Sequence, residues 1–300
     1  KVEAFAPNAR KIHIDIDPSS INKNVRVDAP LVGDVRGVLS ALLDLVSPLD
    51  TTDWLETIEQ WKREHPLRYK QCDVLRAQYI LHELGEVTGG NAIVVTDVGQ
   101  HQMWAAQFFT WVHPRSHITS GGLGTMGFSL PAAMGAAIGR SDLPVVSISG
   151  DGGFQMNMQE LATIVDHKLP MKIFIINNGF LGMVRQWQEL FYRRRYSHVD
   201  ITSPDFVKLA EAFGCPGRRV TRPDEVHDAI LEAIEYSDGP MLVEFVVAKE
   251  DNVYPMIPAG QTVDEMLDVP GDNGNGLGDG TRFLAKGARQ KVSLMNEVKT

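Results

Sequence analysis

The chain has 300 residues, enough for one large domain or two smaller ones. Its 43% hydrophobic and 22% charged content is that of a soluble globular protein able to bury a sizeable core. A net charge of −9 argues against a general nucleic-acid binder, no apolar run of about eighteen residues is present to span a membrane, and two cysteines, Cys72 and Cys215, exclude a disulfide framework or a four-cysteine metal site.

In chain order, Lys11 to Asp17 alternates like a strand that Pro18 ends. Leu31 to Leu45 opens with a turn at Gly33-Asp34 and continues as a helix. Residues 48–72 are more polar, contain Pro48, Pro66, Trp54 and Trp61, and read as a helical linker. Asp73 is placed to cap a helix running to Glu86. Ala92–Thr96 is a second strand, ending at Asp97-Val98-Gly99-Gln100-His101. Ser120–Gly127 is glycine-rich and leads into a small-residue helix over 131–137. Strand 145–149, helix 154–168, strand 171–176, helices 180–191, 204–213 and 223–236, and strand 241–247 follow. Alternating strands and helices predict an α/β fold: a doubly wound parallel sheet with helices on both faces. The expected units are 1–47, the linker over 48–72, and a larger α/β domain over 73–268. Residues 269–300 are expected to form a flexible tail, with five glycines in eleven residues over 270–280. There is no signal peptide, and a start at Lys1-Val2-Glu3 resembles the middle of a longer protein.

Two strand ends carry the strongest chemical signal. Val145–Ser149 runs into Gly150-Asp151-Gly152-Gly153, and Ile173–Ile176 runs into Asn177-Asn178, giving G-D-G-x24-N-N. Asp and Asn side chains are hard oxygen ligands suited to magnesium beside phosphate, and glycines at a helix start let backbone N–H groups approach an anion. Asp-Gly or Asn-Asn-Gly alone is more often a turn. The pair, each behind a buried strand and about one helix apart, reads as a magnesium–diphosphate clamp. Gly278-Asp279-Gly280 repeats the triplet without a strand before it.

Two further segments accompany the clamp. Gly122-Leu123-Gly124-Thr125-Met126-Gly127 matches the dinucleotide pattern G-x-G-x-x-G. The residues before it do not form a long buried strand, so a ligand-hugging loop fits better than a nicotinamide site. Met183 and Trp187 lie four apart, on one face of a helix that begins at the clamp. Such a stripe is either core or a pocket wall.

The clamp spacing resembles the thiamine diphosphate signature of the pyruvate-oxidase-like enzymes. Three strings make the resemblance closer: Val98–Gln107, Gly121–Phe128 and Gly182–Gln188. They are similar to the catalytic subunit of the acetohydroxyacid (acetolactate) synthase family, in order and over roughly residues 1–268. The resemblance implies three cofactors: thiamine diphosphate, Mg2+ and FAD. Asp151 and Asn178, with the Phe180 carbonyl, would hold magnesium. Gln100, His101, Gly152 and Gly153 would contact the diphosphate. Gly124 and Met126 would meet the aminopyrimidine, Met126 wedging the cofactor into a bent shape. Met183 and Val184 would sit near the thiazolium, and Trp187 over the second-substrate pocket. Asp15, Ile16, Asp34 and Val35 match positions that contact FAD in the family.

The implied reaction decarboxylates pyruvate and joins the two-carbon unit to pyruvate or 2-ketobutyrate, for branched-chain amino-acid synthesis. The implied assembly is a homodimer or higher homo-oligomer with a possible small regulatory subunit. No nucleic-acid or membrane partner is implied. The compartment would be the cytoplasm in a bacterium, and a plastid or mitochondrion in a eukaryote. No residue here matches the family's glutamate that protonates the aminopyrimidine, so this chain alone is expected to be inactive. Ala259 stands where many members carry a Ser. The open alternatives are another thiamine diphosphate carboligase, oxidase or decarboxylase, a nicotinamide dehydrogenase, and a non-catalytic cofactor-binding fragment.

Overall fold

A computed structural model describes residues 1–70 and 72–268 and the backbone of 281–283. The remaining residues of the expected 269–300 tail, with Gly278-Asp279-Gly280, lie outside the described residues. The chain divides into two compact units, one of Lys1–Glu64 with the segment from Tyr254, the other running from His65 to Val253.

In the first unit, β1 (Ile12–Asp15) and β2 (Ala29–Val32) pair in parallel, with Asp15 opposite Val32. Helix α1 (Val35–Leu43) follows, capped by Asp34, whose carboxylate accepts from Arg36 N at 2.9 Å. The linker expectation meets helix α2 (Thr52–Glu64), on which Trp54 and Trp61 pack edge to face, ring centres 5.5 Å apart.

The second unit contains β3 (Arg68–Lys70), paired with the backbone of 281–283, and then the main fold. Its elements are α3 (Ala77–Thr88), β4 (Ile93–Thr96), α4 (Gln100–Phe108), β5 (His117–Thr119), α5 (Ser129–Gly139), β6 (Val145–Gly150) and α6 (Asp151–Asn157). They continue with α7 (Leu161–Asp166), β7 (Lys172–Asn177), α8 (Gly182–Phe191), α9 (Phe206–Ala212), β8 (Gly217–Val220), α10 (Val226–Glu235) and β9 (Met241–Val246). Six strands form one parallel sheet in the order β5-β4-β6-β7-β9-β8.

The central strands are apolar on both faces because helices cover both. Along β7, Phe174 and Ile176 join a core with Trp104, Phe108 and Ile230. Ile173 and Ile175 join the opposite core with Leu130, Phe154 and Phe206. The period-two alternation thus divides one continuous apolar run between two layers.

Several expectations are corrected. Asp73 does not cap α3; the helix starts four residues later, because Arg76 is extended at φ −119° and ψ 143° and the Leu75 carbonyl before it accepts from Ala248 N at 2.9 Å. The helix expected over 154–168 starts at Asp151 and is interrupted at 158–160, where Asn157 leaves helical backbone at φ −136°. Strands β5 and β8 were not anticipated. Both are short edge strands, and β8 carries Arg218 and Arg219 in place of an apolar run.

Sheet order fixes where a ligand fits. The chain leaves β4 toward β5 on one side and leaves β6 toward β7 on the other. The crevice beyond the carboxyl ends of β4 and β6 is therefore the topological switch point, the usual ligand position in such sheets.

Candidate active site

The N-terminal ends of α4 and α6 meet at this switch point. A pocket there is lined from α4 by Gln100, His101 and Trp104, and from α6 by Asp151, Gly152 and Gly153. Met126, Asn178, Phe180, Met183 and Val184 also line it. Residues quoted from four separate sequence strings thus converge on one cavity. Gly124 lies outside this lining, in the loop before Met126, at φ +66°. Trp187 borders an adjoining hollow with Gln188, Tyr192 and Arg195, and Val184 is shared between the two.

Asp151 is 1% exposed, at the start of α6. Its Oδ2 accepts from Gly179 N at 3.0 Å and from Ser203 Oγ at 3.4 Å. Burial pushes its carboxyl up to about 6 even though these hydrogen bonds pull the other way. Asn178 is held close by: its Oδ1 accepts from Phe180 N at 3.0 Å and its Nδ2 donates to Gln100 Oε1 at 3.3 Å. No ion-pair partner of Asp151 is present among the described residues. A buried carboxylate next to amide and carbonyl oxygens fits a hard cation, which would offset its desolvation. Among the described residues, no group of three or more His, Cys, Asp or Glu side chains is arranged to hold a metal ion. The Asp151, Asn178 and Phe180 set contains one carboxylate, so any cation here would depend on other oxygens as well.

His101 is buried, not the surface residue that a bare helix start would give. Its ring lies between two glycines: a Cβ on Gly99 or Gly150 would come within 3.0 Å of it. Burial lowers its pKa to about 4, against the opposing pull of Asp97, so the ring is neutral near pH 7. His101 Nε2 and Trp104 Nε1 are buried without a hydrogen-bond partner. Orphaned polar atoms cost free energy unless a ligand meets them, and both residues line the pocket. The pocket therefore fits a polar group such as a diphosphate.

Gln100 lines the pocket and is also hydrogen-bonded within the protein. Its Nε2 donates to Gln186 Oε1 at 2.9 Å and to the Asp251 carbonyl at 2.8 Å. Both amide hydrogens are used inside the protein. Gln186 in turn accepts from Val253 N at 2.8 Å, and Arg185 donates to the Asp251 carbonyl at 2.8 Å. Residues 251–253 are thereby strapped to α8 and to the start of α4. Sequence reading gave no sign of this strap, because its contacts join positions far apart in the chain.

Asp97 was also missed as a functional position. It follows β4 and is 1% exposed. Its Oδ1 accepts from Val98 N at 2.8 Å and Gly127 N at 3.0 Å; its Oδ2 accepts from Ser129 N at 3.1 Å and Ser129 Oγ at 3.2 Å. The available signal was an acid directly behind a buried strand, two residues before Gly99.

In the first unit, Asp15 is the last residue of β1 and Asp34 comes two residues after β2 ends at Val32. Asp15 Oδ1 accepts from Asp17 N at 2.9 Å, and Gly33 N donates to the Asp15 carbonyl at 2.9 Å. Ile16 and Val35 are exposed. Adjacent parallel strand ends with exposed apolar residues fit a nucleotide cofactor.

A parallel sheet with two helix N-termini and a strand-end Asp/Asn pair at its switch point defines a diphosphate-binding α/β domain. The family described as thiamine pyrophosphate enzyme, C-terminal TPP binding domain, matches residues 97–245, and the thiamine pyrophosphate enzyme central domain matches residues 1–42. The chain belongs to the thiamine pyrophosphate enzymes. It is similar to acetolactate synthase of Mycobacterium leprae, 46% identical over 279 residues that are 89% of this chain and 45% of the relative. It is similar to acetolactate synthase isozyme 2 large subunit of Escherichia coli, 46% identical over 270 residues, 89% of this chain and 48% of the relative. It is also similar to the chloroplastic acetolactate synthase 2 of Zea mays, 43% identical over 282 residues, 89% of this chain and 44% of the relative. The chain thus spans less than half the length of these relatives. Among the described residues, no helix is long and apolar enough to cross a membrane.

Proposed function

We propose that this chain carries the diphosphate half of an acetolactate synthase active site. The observation that carries the reading is the switch-point pocket, lined by Asp151 and Asn178 together with His101 and Trp104, whose Nε2 and Nε1 are buried without a partner. Similarity to acetolactate synthases over 89% of the chain supports the same reading.

Asp151, Asn178 and the Phe180 carbonyl would hold Mg2+. His101 and the N–H groups of Gly152 and Gly153 would meet the diphosphate. Gln100, whose amide hydrogens are used within the protein, would orient Asn178 instead of donating to phosphate. Met126 would support the middle of the cofactor, with Gly124 giving the preceding loop its left-handed turn. Met183 and Val184 would exclude water from the reacting end. Trp187 would border the second substrate. Asp15, Ile16, Asp34 and Val35 would contact FAD in a structural role. Thiamine diphosphate, when bound, supplies the electron sink that lets a 2-ketoacid lose carbon dioxide. The protein supplies position, charge compensation and a dry pocket.

The substrates would be pyruvate and, as second acceptor, pyruvate or 2-ketobutyrate, in branched-chain amino-acid synthesis. The working unit would be a homodimer or larger, and the large-subunit name of the Escherichia coli relative supports a small regulatory partner. Its compartment would be the cytoplasm in a bacterium or an organelle in a eukaryote.

The test is acetolactate formation from pyruvate by the full-length protein with thiamine diphosphate, Mg2+ and FAD. Residues 1–300 alone are expected to give no measurable turnover, because the family glutamate has no counterpart here. Acetaldehyde or acetyl phosphate as sole product would favour a decarboxylase or oxidase. Nicotinamide-dependent oxidation would favour the dehydrogenase; against it, the glycine-rich loop follows only the edge strand β5, whereas that fingerprint needs a buried strand before it. Turnover by residues 1–300 at the full-length rate would refute the half-site reading.

A further inference from the structure

We infer that Asp97 is a positioning residue for the cofactor pocket, setting Met126 against the start of α6. This rests on the thiamine diphosphate reading of the pocket.

Asp97 is 1% exposed, and no ion-pair partner is present among the described residues. A carboxylate in such a place is costly unless hydrogen bonds replace its water. Four donors do so, and they come from two chain segments. Val98 N belongs to the β4 end; Gly127 N, Ser129 N and Ser129 Oγ belong to the exit of the glycine-rich loop. The Ser129 hydroxyl also meets Ser149 Oγ at 2.6 Å, which ties the cluster to β6.

A third segment closes on the same carboxylate without bonding to it. A Cβ on Gly153 would lie 2.5 Å from Asp97 Oδ1 and 2.9 Å from its Cγ. The first turn of α6 approaches this closely only because residue 153 has no side chain. Gly153 in the diphosphate signature thus has a packing requirement beside any contact to phosphate.

The consequence falls on Met126. Gly127, its neighbour, is pinned from both sides: its N–H donates to Asp97, and its carbonyl accepts from Asn157 Nδ2 at 2.6 Å. Gly127 has φ +84°, so the loop exit is fixed in a conformation that other residues rarely adopt. Met126 is thereby held over α6, its Cε 3.9 Å from a Cβ placed on Gly152. The Asp97 carboxylate is the shared contact of the two walls that the cofactor must fit between.

An amide cannot replace this carboxylate. In Asp97→Asn, one face of the side chain becomes an NH2 group aimed at backbone N–H donors, whichever way the amide is turned. Asp97→Asn should weaken thiamine diphosphate binding by the full-length protein by at least about 10-fold, and Ser129→Ala, which removes one neutral donor, by about 3- to 10-fold. Ile230→Val, in the core on the opposite face of the sheet, serves as a control for lost stability. It should lower Tm without changing cofactor affinity.

The measurement is a titration of apoprotein with thiamine diphosphate and Mg2+, followed by tryptophan fluorescence, alongside Tm and kcat. Weakened binding in both Asp97→Asn and Ser129→Ala, with native circular dichroism, supports the inference. If Asp97→Asn does not fold, Ser129→Ala decides. Unchanged affinity in the folded variants, or a loss that Ile230→Val reproduces at equal Tm, would overturn it and leave Asp97 a stability residue. Wild-type protein that fails to bind the cofactor would refute the pocket reading itself.

Discussion

Gly182 stands so close to Gln100 that a Cβ would lie 2.2 Å from Gln100 Oε1 and 2.8 Å from Asn178 Nδ2. A side chain at the first residue of α8 would therefore require the Gln100 and Asn178 amides to shift. Gly182→Ala should displace the Gln100 amide and loosen Asn178, with an overpacking cost of about 1–3 kcal/mol. Magnesium-dependent cofactor affinity is expected to fall by at least about ten-fold, measured by titration of the full-length protein. Unchanged affinity would show that Gln100 can turn away without moving Asn178.

Asp151→Ala tests the proposed cation site directly. The native carboxylate is buried and pushed up to about 6. Ala removes a desolvated charge, so the fold should keep its helix content and its stability should not fall sharply. Magnesium-dependent binding of thiamine diphosphate should be lost, because the diphosphate charge would no longer be compensated. Isothermal titration with and without Mg2+ separates these effects. Binding that stays magnesium-dependent would remove Asp151 from the ligand set.

The parallel sheet was legible because its strands are continuous apolar runs, each followed by a small or polar residue. Val145–Ser149 and Ile173–Ile176 need no context to read as buried. The short edge strands were not legible, since three or four residues with Arg218 and Arg219 carry no apolar period. That Gly150-Asp151 and Asn177-Asn178 come together was legible from spacing, because a crossover between adjacent parallel strands brings their carboxyl ends side by side. The Gln100–Gln186–Val253 chain was not: its residues are 86 and 67 positions apart, and glutamines give no pattern that periodicity can find. Asp97 was hidden for a related reason. Its partners are mostly backbone N–H groups, which every sequence has.

Trp187 gives a prediction about selectivity. It is 38% exposed and packs against Phe191 with ring centres 5.0 Å apart, outside the main pocket but joined to it through Val184. Trp187→Leu should therefore spare cofactor affinity and shift the ratio of products from 2-ketobutyrate and pyruvate. A methylene in an apolar pocket is worth about 1–3 kcal/mol, so a change of roughly ten-fold is in range. Competition between the two ketoacids in the full-length protein is the assay. An unaltered ratio would make the Trp187–Phe191 pair a packing feature.

Lys172 offers a prediction about pH that is independent of the cofactor. It opens β7, is 2% exposed, and donates through Nζ to the Tyr236 carbonyl. Burial lowers its pKa from 10.5 to about 8. The sign follows from which state holds the proton. Between about pH 8 and 10.5 the unfolded chain keeps a proton that the folded protein has lost, so this group makes stability rise with pH there. Below about pH 8 both states are charged and the folded state bears the full cost. That cost is about 3 kcal/mol at about 1.36 kcal/mol per pH unit, partly offset by roughly 1 kcal/mol from the hydrogen bond to Tyr236. The neighbouring Cys215 acts in the opposite sense. Burial raises its thiol from 9.0 to about 11, so its contribution is lost between those values. Lys172→Met should therefore be more stable than wild type at pH 7 by about 2 kcal/mol, and the gap should close as pH approaches 10. Urea unfolding of both proteins at pH 7 and pH 9.5 reads the gap. An equal gap at the two pH values would mean that Lys172 titrates as a solvated lysine, with water reaching Nζ at the foot of β7.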